Sequence, residues 1–221
     1  MLIKHILILF LLTSCALFKA RPSLKSQDKF KLLDAIKLTG EGTGRLGLGE
    51  GQHLFSVDSI LKDNHDWILA VSIPLHGEEV MILPNLQKKE VNFEERETFE
   101  DRIDREFSRI KLNKILSTQD FLLALRSIIR FNLSSHWGVA KKCTSKEGGL
   151  ACEFDGDIYL VEVTEREIIV NKSLGQGRTL SLEARNLTKS FFAQTDVRLY
   201  ANEDDARKKK SSFSLELFWQ E

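Results

Sequence analysis

Asp66-Trp67-Ile68-Leu69-Ala70-Val71-Ser72-Ile73-Pro74 decides how the rest of this chain is read. Trp67, Leu69, Val71 and Ile73 fall on one face of an extended strand, and Ile68, Ala70 and Ser72 on the other. Upstream, Lys62-Asp63-Asn64-His65-Asp66 turns the chain after a first strand, His53 to Ile60. Downstream, His76-Gly77 makes the next turn and Glu78 to Leu83 returns with Val80 and Ile82 alternating. Lys89 to Phe93 adds a further strand. From Gln52 to Phe93 the spacing of turn signals is that of an antiparallel β-meander.

Just before the meander lies Thr39 to Gly51, with six glycines in thirteen residues. Gly42-Thr43-Gly44-Arg45-Leu46-Gly47 matches the dinucleotide fingerprint letter for letter. That fingerprint needs a buried parallel strand before it and a helix after it, whose N-terminus holds pyrophosphate. Here a polar segment precedes and a strand-like one follows, so the reading is a strand with close backbone approach or strong bending.

The period then changes. In Glu94 to Lys111, Phe99, Ile103, Phe107 and Ile110 recur at steps of four, four and three, with Asp101–Arg105 and Arg102–Glu106 as favourable i,i+4 pairs. Ser117-Thr118-Gln119-Asp120 caps a second helix whose stripe is Phe121, Leu125, Ile128 and Ile129, with Arg126 and Arg130 off it. Such a stripe packs on a sheet face or forms a lid over a lipid. A shorter amphipathic helix is expected over Asp28 to Leu38. Strands resume at Ile158–Val163, Glu167–Val170, Thr179–Ala184, Asp196–Tyr200 and Ser212–Gln220; in the last, Phe213, Leu215, Leu217 and Trp219 share a face. Asn202 to Lys210, with Glu203-Asp204-Asp205 followed by Arg207-Lys208-Lys209-Lys210, reads as a solvated hairpin tip.

The N-terminus carries Lys4, an apolar run from Ile6 to Leu12, and then Leu12-Thr13-Ser14-Cys15. The run is too short to span a bilayer and suits a secretory signal. The tetrad resembles the lipobox of bacterial lipoproteins. That resemblance implies cleavage before Cys15, lipidation of its thiol with diacylglycerol and palmitate chains, and, with Ala16 next, sorting to the outer membrane facing the periplasm. Residues 1–14 are then a signal peptide, 15–27 a lipidated tether around Arg21-Pro22-Ser23, and 28–221 a single domain. With 32 basic and 32 acidic residues, loss of Lys4 leaves the mature chain near neutral, with no global field toward nucleic acid. A hydrophobic share of 42% with three prolines argues against a disordered chain. No second apolar run approaches the roughly 20 residues of a membrane helix, so beyond its lipid the protein is expected to be soluble.

Export permits disulfides, and with Cys15 acylated, Cys143 and Cys152 remain. The Gly148-Gly149 turn signal between them points to a hairpin that sets the two opposite each other, worth about 3 kcal/mol or less. A metal site is the rival reading and lacks a partner CxxC or HxxxH motif. His53, His65, His76 and His136 are scattered, none in metal-ligand spacing or a nucleophile motif. Neighbours such as Glu78 and Glu79 face opposite sides of a strand and would not share a proton-transfer site. No catalytic residue, metal or cofactor is therefore assigned, and the chain is not expected to be an enzyme, with an exported hydrolase as the least supported class.

The order of tether, short helix, glycine-rich first strand, meander, two central helices and further strands is similar to the LolA/LolB superfamily of lipoprotein-localisation factors. Leu38 to Leu46, Leu69 to Leu75, the helical block Phe121 to Arg130 and the final strands carry the likeness, which spans much of residues 30 to 220. It implies an α+β fold, an unclosed antiparallel β half-barrel with helices covering its concave face. It also implies a receptor or carrier that binds lipid or lipoprotein acyl chains. Trp67, Leu69, Val71 and Ile73 would then line the cavity, and Phe121, Leu125 and Ile128 its lid, unless the same seven residues form a dry packed core. The family receptor's exposed apolar loop has no clear counterpart, and the cysteine pair is not part of its pattern. The alternative is a non-catalytic structural or assembly lipoprotein binding a periplasmic protein partner.

Overall fold

A computed structural model of the chain describes residues 26–48, 51–62, 66–73, 77–83, 104–105, 107–114, 116–133, 142–146 and 149–221. Its frame is one antiparallel sheet. The strands are β1 (Gly40–Leu48), β2 (Gly51–Lys62), β3 (Asp66–Ile73), β4 (Gly77–Leu83), β5 (Lys142–Lys146), β6 (Gly149–Phe154), β7 (Asp157–Val163), β8 (Glu167–Gly175), β9 (Arg178–Leu187), β10 (Phe192–Tyr200) and β11 (Phe213–Trp219). They run in the order β4-β3-β2-β1-β11-β10-β9-β8-β7-β6-β5. The last strand thus returns to pair with the first, joining two meanders into one ladder. Among the described residues β4 and β5 form its two ends, and the sheet is not closed.

Alternation within each strand divides the residues between two faces. On one face, Leu150, Val161, Val170, Leu182, Val197, Leu215 and Leu46 stand opposite one another in turn across seven adjacent strands, and all are buried. A parallel row passes through Cys152, Tyr159, Lys172, Leu180, Leu199, Phe213 and Leu48, all buried except the half-buried Lys172. Phe213, Leu215, Leu217 and Trp219 share this face, as their spacing requires.

Among the described residues the helices α1 (Ser26–Leu33), α2 (Thr118–Leu133) and α3 (Glu203–Arg207) accompany the sheet. α2 is the principal one. The backbone N–H of Asp120 donates to the Ser117 hydroxyl at 3.0 Å, the cap expected from Ser117-Thr118-Gln119-Asp120. Its stripe lies over β8 and β9. Residues 104–105 and 107–109 are helical as well, and Thr118 donates its hydroxyl hydrogen to Asp104 at 3.0 Å.

Several sequence expectations need correction. The first helix stops at Leu33 rather than Leu38. There Ile36 forms a parallel bridge with Phe192, and the Phe192 N–H donates to the Ala35 carbonyl at 2.9 Å, so docking on the sheet wins over helical propensity. Ile110 was expected in the apolar stripe of its helix; instead Lys111 turns into the left-handed region and Ile110 is exposed, while Phe107 is buried. The 202–210 segment is the exposed tip of the β10–β11 hairpin, as expected, and it also contains the short helix α3, which the Asn202 side chain caps by accepting the Asp205 N–H. Phe99, Ile103 and the Lys89–Phe93 strand lie outside the described residues. Among those described, no helix is long and apolar enough to cross a membrane.

Candidate functional site

The face under α2 is the first place to look. Phe121, Leu125 and Ile128 are fully buried there. The Phe121 ring packs edge-on against Phe213 of β11, with centroids 4.8 Å apart, and against Phe107 at 5.5 Å. These three residues of the expected lid therefore come together on the sheet with their own side chains filling the space beneath them. Trp67, Leu69, Val71 and Ile73 lie on β3, two strands beyond β1. Register ties them to the same face. Val71 pairs with Val57, Val57 with Gly42, and Gly42 with Trp219. Leu69 pairs with Met81, and Trp67 stands between Leu61 and Leu83. The same face of the β2–β4 wing also carries His53 opposite Leu46, Ser59 opposite Leu69 and Glu79 opposite Val71, so its rows are mixed.

The glycines of β1 sit at this junction. An added Cβ at Gly42 would stand 2.1 Å from the carbonyl oxygen of Phe218, so β11 approaches β1 more closely than any side chain allows. This is the close backbone approach expected of the glycine tract, and it leaves the dinucleotide reading without its strand-then-helix setting, since β2 follows β1.

At the far end of the sheet Cys143 and Cys152 stand directly opposite in β5 and β6 and form a disulfide. Cys152 is buried beside Tyr159 of β7. The Tyr159 ring stacks on Phe131 of α2 at 4.0 Å, and its hydroxyl donates to the Ser127 carbonyl at 3.3 Å. Arg130 pairs with Asp155 in the β6–β7 turn and lies over the Phe154 ring. Burial pushes the Tyr159 phenol well above its ordinary value, and the charges of Asp157 and Asp155 push the same way against Arg130. Arg126, also on α2, is shifted down by burial and by the charge of Arg130.

The opposite face of the sheet holds a cluster that the sequence reading did not single out. Glu183, Asp196 and Glu216 stand opposite one another on β9, β10 and β11, with Arg45 of β1 next in the row. Like charges directly opposite destabilise a sheet. Arg185 and Arg198, each two residues along its strand, neutralise them. Arg198 reaches Asp196 at 2.9 Å and Glu216 at 3.2 Å. Arg185 pairs with Glu183 and reaches Asp196 at 3.3 Å, and Arg45 meets Glu216 at 3.4 Å. Gln194 and the Tyr200 hydroxyl donate to Asp196 and Glu183 at 3.0 and 2.8 Å. Asp196 and Glu183 are buried by these partners. Burial raises the Tyr200 phenol, opposed by Arg198 and Arg185 and assisted by Asp196. For the Arg198 guanidinium burial works downward, but its hydrogen bond to Asp196 and the charges of Asp196, Tyr200 and Glu216 outweigh it, and the net shift is upward. The readable signal was Glu183-x-Arg185 and Asp196-x-Arg198: opposite charges two apart on a strand share a face. Chemically, the cluster is an ion-pair network that ties four strands together; within it Arg198 Nε, 3.9 Å from Glu183, makes no hydrogen bond among the described residues.

Among the described residues no group of three or more His, Cys, Asp or Glu is arranged to hold a metal ion. Cys15, His65, His76 and His136 lie outside the described residues. No family model, no curated protein and no solved structure matches this chain.

Proposed function

We propose that this chain is an outer-membrane lipoprotein, anchored through Cys15, whose half-barrel sheet binds lipid or lipoprotein acyl chains on its helix-covered concave face. The observation that carries the reading is the register of the wing. Phe55, Val57 and Leu61 on β2, Trp67, Leu69, Val71 and Ile73 on β3, and Met81 and Leu83 on β4 fall, with His53, Ser59 and Glu79 among them, on the face in register with the buried face of β1 and β11. An acyl chain laid on such a face needs no catalytic group; each methylene withdrawn from water contributes about 0.8 kcal/mol. Because Phe121, Leu125 and Ile128 occupy the space beneath α2, the helix has to yield part of that face for a chain to enter.

Binding of a fluorescent fatty acid to the purified full chain tests this. Saturable uptake that falls in Leu69→Asp is expected, and a chain that takes up no probe and co-purifies with no lipid would sink the reading. The anchor is tested separately. Cys15→Ser should abolish labelling by a clickable fatty acid, and retained labelling would refute acylation there.

A second reading, an assembly lipoprotein that binds a periplasmic protein, is favoured by Ile158 and Leu160. Both are exposed on β7, at 67% and 44%, on the face away from α2. One stoichiometric crosslinked partner, lost in Ile158→Asp and accompanied by no lipid, would favour it.

A further inference from the structure

The disulfide stands where the chain passes from α2 into the sheet. α2 ends at Leu133, and β5, which begins at Lys142, is the next described element. Among the described residues β5 lies at the end of the ladder and pairs with β6 alone. None of its five residues is buried, so apolar packing contributes little to holding it. Besides its backbone ladder to β6, it is attached by the bond from Cys143 to Cys152. Cys152 is in turn seated beside Tyr159, the residue that stacks on Phe131 and bonds the Ser127 carbonyl. The C-terminal half of α2 thus rests on β6 and β7 through Phe131, Ser127 and Arg130, and the covalent link lies directly under that seat.

We propose that Cys143–Cys152 is a redox latch on α2. Closed, it holds the end of the sheet beneath the C-terminal half of the helix; opened by a dithiol reductant, it lets β5 leave the ladder and that half of α2 rise. Cys143 is half-buried and Cys152 fully buried, so exchange begins at Cys143. A reductant thiolate attacks the Cys143 sulfur, the bond to Cys152 breaks, and its electron pair leaves on the Cys152 sulfur, which takes up a proton. The second reductant thiol then attacks the mixed disulfide and frees Cys143 as a thiol. The reductant ends as a disulfide and the protein as two thiols, so two electrons and two protons have passed. That the rising helix uncovers an acyl-binding face rests on the functional reading above; the latch itself does not.

Hydrogen exchange on the full chain, oxidised and then reduced with dithiothreitol, tests it. Exchange at least tenfold faster in 126–133 and 142–154, with β8 to β11 unchanged, is the expected result. Cys143→Ser/Cys152→Ser should reproduce the reduced pattern without reductant, and a trapped mixed disulfide should map to Cys143. Unchanged protection of α2 on reduction overturns the latch. So does loss of protection through the whole sheet, which would make the bond a general staple. Fluorescent fatty-acid uptake is measured on the same samples. A latch that opens while no uptake occurs in either state leaves the latch standing and removes the lipid reading.

Discussion

Gly42→Ala is the sharpest test of how the two meanders are joined. The new Cβ would lie 2.1 Å from the Phe218 carbonyl oxygen, 3.0 Å from its carbonyl carbon and 3.3 Å from the Trp219 Cα. All three are backbone atoms, so no side chain can rotate away. Restoring ordinary contact requires β11 to withdraw from β1 by about 1 Å. Hydrogen bonds around the site would stretch, among them Gln220 N–H to the Glu41 carbonyl at 3.0 Å and Trp219 Nε1–H to the Thr195 hydroxyl at 3.1 Å. Overpacking costs about 1–3 kcal/mol, and each weakened hydrogen bond adds about 1 kcal/mol. Against this stands a gain of about 0.5–1 kcal/mol from replacing a strand glycine. The net loss expected is about 2–4 kcal/mol, a large fraction of a domain's stability. Urea unfolding followed by tryptophan fluorescence reads it as a lower midpoint at unchanged slope. Gly47→Ala is the control. Its Cβ would meet the Ser214 hydroxyl oxygen at 2.4 Å, an atom that can swing aside, so a loss of less than about 1 kcal/mol is expected. Equal losses in the two variants, or a Gly42→Ala chain within about 0.5 kcal/mol of the parent, would refute the reasoning.

Asp196→Ala should cost about 3 kcal/mol, because it removes a buried carboxylate and leaves the half-buried Arg198 and its neighbour Arg185 short of a partner, with Asp196→Asn milder because it keeps an acceptor; urea midpoints check both, and a neutral Ala variant would contradict the network. The chain has two tyrosines, and burial raises the phenols of both Tyr159 and Tyr200. Absorbance at alkaline pH should therefore show no native phenol ionising near the ordinary value of about 10. The unfolded chain loses these protons first, so the stabilisation is full below about pH 10 and is lost as pH rises toward the raised native values. A native phenol that titrates at the ordinary value would refute the burial argument.

How much of this was legible in the sequence depends on the range of the interaction concerned. Period-two alternation in Trp67 to Ile73 and Phe213 to Trp219, the Ser117 cap and the Gly148-Gly149 hairpin are local facts, set by neighbours a few residues apart, and strand, helix and disulfide followed from them. Polar residues two apart on β9 and β10 were equally visible, yet Glu183 and Asp196 gain their meaning only from strands that lie opposite. The end of α1 was misread for the same reason: Ile36 and Phe192 are distant in sequence, and their bridge outweighs local helical preference.

What the sequence determined by itself, among the described residues, is where the strands lie, the cysteine pairing and the need for glycine in β1, because each rests on backbone geometry and spacing within one segment. What only the tertiary structure decided is the closing of β11 onto β1, the one continuous eleven-strand ladder, and the assembly of its two faces, one apolar beneath α2 and one bound by arginine–carboxylate pairs. Those depend on which strands become neighbours, and no local period in the chain encodes that choice.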